Sequence, residues 1–315
     1  MSTTNITGHS QKLENFFCSA ELSERIDIPL ICLSAVNIIF ALTATMGNTL
    51  IIVALQRETS LHPPSKVLLR NLAVTDLCVG IVSQPVQIAH FVTLLYKLHQ
   101  MCRYANAVSR TASTILCGVS LLTTTAVSVD RLLALLLRLR YRQVVTLKRI
   151  YGAVVAFWAF SIFTATTSHW DPDYAVWRAL LISSTSLCIV TSIFCYSKIF
   201  LTLRRYQNQV RDNAREQANQ TIPLSIMKRY RKTVYSGMCI QLALVSCYLP
   251  YLLVSPFAYR EMRRRQSAAF YVVVESTVTL LYFNSSLNPI LYCWKIQEVR
   301  QAVKDNLRQL FRSLN

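Results

Sequence analysis

An all-α protein, a bundle of seven membrane-crossing helices with a short amphipathic helix on its cytoplasmic face, is predicted by three observations. The 315-residue chain is 53% hydrophobic and only 15% charged, with a mean hydropathy of +0.34. That leaves too little polar surface for a soluble domain of this size. Seven apolar stretches reach the ~20 residues that span hydrocarbon at about 1.5 Å per residue. Most of the 33 Lys and Arg residues lie in alternate connecting segments and in the last tail, an asymmetry that orients membrane helices.

The apolar stretches lie near 28–55, 67–92, 104–137, 150–168, 176–203, 233–258 and 268–292. They divide the chain into an extracellular tail, 1–27, a seven-helix domain, 28–292, and an amphipathic helix with a short cytoplasmic tail, 293–315. The first fifteen or so residues are polar and no short apolar core with a cleavage site follows, so the first span itself is expected to direct insertion. With the amino terminus outside, the basic loops after spans one, three and five face the cytosol. Of three sequons, Asn5-Ile6-Thr7 lies outside, Asn219-Gln220-Thr221 faces the cytosol and Asn284-Ser285-Ser286 lies in the bilayer. Asn5 is therefore the expected glycan acceptor.

A net charge of +18 could point to nucleic acid. Here the basic residues flank membrane spans, where anionic lipid and acidic partner surfaces account for them, so membrane lipids and no nucleic acid are expected as partners. The third cytoplasmic loop, near 204–231, is polar and basic; it should extend the two flanking helices and fray between them. After Tyr292, apolar Ile296, Val299, Val303, Leu307, Leu310 and Phe311 recur at helical spacing among Lys and Arg. That stripe reads as a helix lying on the inner leaflet, with a solvated basic helix as the alternative.

Two patterns inside the spans suggest function. The seventh span is interrupted by Asn284-Ser285-Ser286-Leu287-Asn288-Pro289-Ile290-Leu291-Tyr292, polar groups and a proline that are costly in lipid. Proline frees a carbonyl and kinks its helix, so the segment can hinge, or it is an ordinary structural kink. The third span ends in Asp130-Arg131-Leu132, where the acid can hold the guanidinium until a partner frees it, or both are flanking anchors.

Together these motifs resemble the rhodopsin-like, class A family of G-protein-coupled receptors over almost the whole chain. Gly47-Asn48 matches the first span, Asn71-Leu72-Ala73-Val74-Thr75-Asp76 the second, and Asp130-Arg131-Leu132 the third. Trp158 matches the fourth, Tyr196 the fifth, Cys247-Tyr248-Leu249-Pro250 the sixth, and Asn288-Pro289-Ile290-Leu291-Tyr292 the seventh. Seven matches in order, one per span, are specific where each alone is weak.

The resemblance implies a plasma-membrane receptor, with its amino terminus outside, that is not an enzyme. It would take an extracellular small-molecule, peptide or lipid ligand and activate heterotrimeric G proteins, with arrestin and a receptor kinase as further partners. Asp130, Arg131, Tyr196 and Tyr292 would form the cytoplasmic switch, and Tyr248, Pro250 and Pro289 the hinges. Asp76 in mid-membrane would cost about 2.5–3.5 kcal/mol facing lipid, so it should face inward. With Asn48, Ser120, Asn284, Ser285 and Asn288 it resembles the family's sodium site, the ion acting as an allosteric modulator; no other cofactor is expected. A hydrogen-bonded structural Asp is the alternative. Gln87, Arg110, Ser113, Trp177, Glu275 and Tyr282 would line the outer cavity. Arg110 either binds an acidic ligand group or snorkels to headgroups.

Departures from the pattern bear on the branch. Tyr248 stands where the family usually has Trp, Leu132 where it has Tyr, and Cys188 where a proline is common. Spans four and five are joined by His169-Trp170-Asp171-Pro172-Asp173-Tyr174, without the usual loop cysteine. These absences resemble the branch of melanocortin, cannabinoid and lysophospholipid receptors. Cys18 and Cys102 are the two clearly extracellular cysteines, and a bridge between them would tie the tail across the ligand entrance. Ser113 stands where amine receptors carry an Asp, which argues against a biogenic amine. Met227 to Thr233, before span six, holds no acid to restrain Arg131, so measurable basal signalling is expected. A transporter or ion pump built on Asp76 is the alternative of another class, although no inverted repeat is visible.

Overall fold

The computed structural model describes residues 16–57, 62–170, 175–216, 239, 241–257, 261 and 267–295, without the side chains of 170, 207, 210–216 and 291–295. Among the described residues seven longer helices follow in order: α1, Ala20–Arg57; α2, Pro63–Leu95; α3, His99–Leu137; α4, Leu147–Trp170; α5, Ala175–Glu216; α6, Gln241–Phe257; and α7, Ala268–Lys295. A 3₁₀ turn, Arg138–Arg140, and a one-turn helix, Tyr141–Val144, join α3 to α4. No strand occurs among the described residues. Asn5, residues 227–233 and the amphipathic stretch beyond Lys295 lie outside the described residues.

Polarity is distributed inside out. Apolar side chains such as Ile28, Ile39, Leu42, Leu187 and Val190 are exposed, whereas Asn37, Asn48, Asp76, Gln84, Ser120 and Asn288 are buried. A soluble protein would reverse this. Because lipid is as apolar as Leu, helices gain little from burying apolar area against one another, and close packing with interhelical hydrogen bonds must hold them together. The central helix is α3, which packs on α2, α4 and α5, while α1 packs on α2 and α7.

Small residues and inward polar groups supply both kinds of contact. A Cβ on Gly47 would lie 2.8 Å from Cβ and Cγ of Pro289, so the α1–α7 crossing requires glycine at that place. Asn71 Nδ2 donates to Thr123 Oγ1 at 2.8 Å, and Trp158 Nε1 donates to Asn71 Oδ1 at 3.2 Å. One amide thus joins α2, α3 and α4. In α2 a wider π turn covers Val79–Ser83, and the Gln84 N–H reaches back to the Val79 carbonyl. The missing N–H of Pro85 explains the break in the ordinary ladder. The re-phased helix carries Gln84, Gln87 and His90 into the interior.

The end of the segment assigned to the extracellular tail belongs to the bundle's outer core. Phe16, Phe17, Cys18, Leu22 and Ile26 are buried with Phe91, Trp177 and Tyr271. A short apolar run followed by polar residues gave no hydropathy signal for this. α1 begins at Ala20 rather than near 28, with non-helical dihedrals at Ile26 just before Pro29. Proline's restriction of the preceding turn accounts for the break.

Candidate functional site

Three polar stations line the bundle from its middle to its two ends. At the centre, Asp76 is fully buried and its carboxylate accepts three hydrogen bonds. Ser120 Oγ and Ser285 Oγ donate to Oδ1 at 2.7 and 2.8 Å, and Asn288 Nδ2 donates to Oδ2 at 2.6 Å. Helices α2, α3 and α7 therefore meet on one charge. Asn48 does not touch the carboxylate: its Nδ2 donates to the carbonyls of Ala44 at 2.8 Å and Ser285 at 3.1 Å. It clamps α1 to α7 at the Ser285 carbonyl, which Pro289, four residues on, has no N–H to bond. Asn284 is buried beside the cluster, with its Nδ2 lacking a hydrogen-bond partner. A carboxylate with two hydroxyl oxygens is a donor set that suits a hard cation, since the hydroxyls keep lone pairs free after donating.

At the end of the bundle that carries Asp130, the acid has other partners than the sequence suggested. Asp130 Oδ2 accepts from Ser65 Oγ at 2.8 Å and Oδ1 from Tyr141 Oη at 2.6 Å, and those two hydroxyls lie 3.1 Å apart. Among the described residues the ion pairs are Arg25–Glu21 and Lys97–Glu24, and none joins Asp130 to Arg131. The expected clasp is corrected accordingly: successive helical residues point about 100° apart, and Asp130 turns toward α2 while Arg131 does not follow it. Arg131 is half-buried, and Tyr196 sits beside Ser128 within electrostatic reach of it. The side chain of Tyr292 lies outside the described residues. Ser65 and Tyr141 went unnoticed in the sequence, because a hydroxyl near a basic loop carries no signal until the fold brings it to Asp130.

The opposite end of the bundle holds a cavity of about 130 Å³. Gln87, Arg110, Ser113, Trp177 and Glu275 all line it, and Phe17, Tyr248, Tyr251 and Tyr271 add aromatic walls. Gln87 Nε2 donates to Glu275 Oε2 at 2.6 Å, and Ser109 Oγ donates to Gln87 Oε1, which joins α2, α3 and α7 around the acid. Tyr282 is wholly buried behind this surface, its hydroxyl bonded to Ser113 Oγ. It supports the cavity rather than lining it. Tyr248 forms part of the floor, with its hydroxyl donating to the Cys117 carbonyl at 3.4 Å. Pro250 lies in α6 and Pro289 in α7, where the Gly47 contact pins it.

A disulfide joins Cys18 to Cys102, with their Cα atoms 5.8 Å apart. His99 Nδ1 lies 2.7 Å from the Cys18 carbonyl oxygen. Lys97 Nζ reaches Glu24 at 2.6 Å, and that hydrogen bond holds the exposed Lys97 ammonium above its usual range. Sequence reasoning missed Phe16, Phe17, His90 and Tyr271. Of these, only the Phe-Phe-Cys run offered a signal, three buried-type residues side by side.

Comparison with known proteins agrees with this arrangement. Residues 47–170 match the family model described as 7 transmembrane receptor (rhodopsin family). Adenosine receptor A3 of Ovis aries is 24% identical over 85% of this chain and 86% of its own length. Trace amine-associated receptor 9 of Homo sapiens is 26% identical over 84% and 81%. Melanocortin receptor 5 of Ovis aries is 24% identical over 86% and 83%. These near-equal likenesses do not single out the melanocortin branch, and none of them supports a transporter. The chain is a multi-pass membrane protein, and the family match over residues 47–170 together with these relatives supports a rhodopsin-like G-protein-coupled receptor, a receptor rather than an enzyme.

Proposed function

We propose that the protein stands in the plasma membrane with its amino terminus outside, binds a ligand in the outer cavity, and activates heterotrimeric G proteins at its cytoplasmic end. The supporting observation is the position of Tyr248 between the stations. It floors the cavity, it bonds to the Cys117 carbonyl, and Cys117 lies one helical turn from Ser120, which donates to Asp76. A ligand that displaces Tyr248 changes the α3–α6 contact, and with it the polar cluster below. That is a differential interaction of the sort a conformational switch requires.

The cavity suits a small molecule, or the end of a peptide or lipid, with Glu275 and Arg110 offering charge of both signs. Asp76, Ser120 and Ser285 would hold a sodium ion, which supplies a positive charge that favours the closed cluster. Asn288 would keep the other carboxylate oxygen oriented. Opening the cytoplasmic end would expose Arg131 to a G-protein helix, and arrestin and a receptor kinase would use the same face. The test is Arg131→Ala at matched surface expression. Coupling should be abolished; unchanged signalling would overturn the reading.

A further inference from the structure

The loop between α4 and α5 is too short, and lacks the cysteine, to be fastened over the cavity in the family's usual way. Something else must form the outer wall. Phe17 lines the cavity although it precedes every membrane helix, and it is 6% exposed. Its ring packs against Tyr271, another lining residue, with centroids 5.9 Å apart. Phe16 and Trp177 belong to the same buried cluster. The segment and the start of α1 are fastened at three points along residues 97–102. Cys18 is bonded to Cys102 at the top of α3, the Cys18 carbonyl meets His99, and Glu24 meets Lys97 in the α2–α3 turn. His90, fully inside, lies 3.8 Å from Cys102 Sγ and 2.9 Å from the Tyr271 hydroxyl, so the strap and the cavity wall share one support.

We infer that Phe16–Cys18 is a disulfide-fastened strap that forms the outer wall of the ligand site. Phe17 is a ligand-contacting residue that sets the size of molecule admitted. This deepens the receptor reading and rests on it only in naming the occupant a ligand; the wall itself is a matter of access. A buried aromatic ring wedged between α3 and α7 has to leave before a molecule from the outer solution can reach the floor. The three fastenings make that departure infrequent, because local opening becomes rare as more contacts must break together. Among the described residues, the strap is the part of this wall drawn from outside the bundle.

The experiment uses the full-length protein and a probe of known chemistry, 2-aminoethyl methanethiosulfonate, which converts an accessible thiol to a mixed disulfide and releases methanesulfinate. Cys117 lines the cavity floor as a free thiol. After trypsin it falls in the peptide 111–131, apart from Cys102, so its labelling rate is read by mass spectrometry. Phe17→Ala, which keeps the disulfide, should raise the Cys117 rate about tenfold or more, and Cys18→Ser should do at least as much. Labelling of Cys195, buried in α5 away from the cavity, should not change, which separates an opened strap from an unfolded bundle. Phe17→Trp should leave the rate at or below that of the parent. Equal Cys117 rates in the parent and Phe17→Ala would overturn the proposal, and so would Cys117 and Cys195 rates that rise together. G-protein exchange measured on the same preparations fails or succeeds independently of access, so the two readings are separable.

Discussion

Replacing Gly47 with Ala tests how α1 and α7 are held together. The new Cβ would sit 2.8 Å from both Cβ and Cγ of Pro289. A flexible side chain could swing away, but the proline ring is closed on its own backbone and cannot. Either the helices separate or α7 shifts. Separation strains three hydrogen bonds that cross this seam, from Asn37 Nδ2 to Thr279 Oγ1 at 3.1 Å, Asn48 Nδ2 to the Ser285 carbonyl at 3.1 Å, and Ser286 Oγ to the Phe40 carbonyl at 3.0 Å. Overpacking of this kind costs about 1–3 kcal/mol. Against it stands the helix propensity of Ala over Gly, up to about 1 kcal/mol. The steric cost wins.

Gly152 in α4 is the control, since a Cβ there meets nothing within 4 Å and Ala keeps only the propensity gain. The propensity gain is common to both variants, so they should differ by the steric cost alone, roughly 1–3 kcal/mol, with Gly47→Ala the less stable. Membrane proteins unfold irreversibly, so apparent midpoints in detergent are compared at one scan rate. At about 2 °C per kcal/mol, a value from large soluble domains, the separation should be roughly 2–6 °C. Gly47→Ala melting with or above Gly152→Ala would refute the close approach and the account of why glycine stands there.

Tyr141→Phe removes the phenol that lies 2.6 Å from Asp130. Hydrogen bonds to charged groups contribute about 1.5–3 kcal/mol, so thermal stability should fall, and Ser65→Ala added on top should cost less than it does alone. Additive losses in that double-mutant cycle would show that the three groups do not act as a unit. For Asp76, raising sodium at constant ionic strength should weaken agonist binding in the parent and have no effect in Asp76→Asn. A sodium response that persists in the variant would place the ion elsewhere. With no acid between Met227 and Thr233, basal exchange should be measurable without ligand and should fall in Tyr230→Glu. A silent unliganded receptor would contradict that expectation.

Hydropathy and charge made the helices legible, because bilayer thickness fixes a length and the inner leaflet a charge bias. The Asp76 cluster was legible through motif spacing, yet its wiring was not. Asn48 looked like a partner of the acid and instead holds the Ser285 carbonyl, because proline further along α7 leaves backbone acceptors in need of donors. Asp130 looked paired with its neighbour in sequence. Its real partners, Ser65 and Tyr141, come from separate segments, and only folding brings them together. Phe16 and Phe17 read as tail, since two aromatic residues are too short a run to register as a buried element, although the neighbouring Cys18 hinted at an anchor.

The most direct measurement of the central claim is nucleotide exchange on purified heterotrimeric G proteins, with this receptor and Arg131→Ala reconstituted side by side in vesicles at equal density. Exchange should be faster with the parent protein than with empty vesicles, should rise further with an agonist drawn from a broad ligand screen, and should return to the empty-vesicle rate with Arg131→Ala. Equal exchange for the parent, the variant and empty vesicles across the G-protein subtypes, together with substrate or ion flux through the parent vesicles, would contradict it.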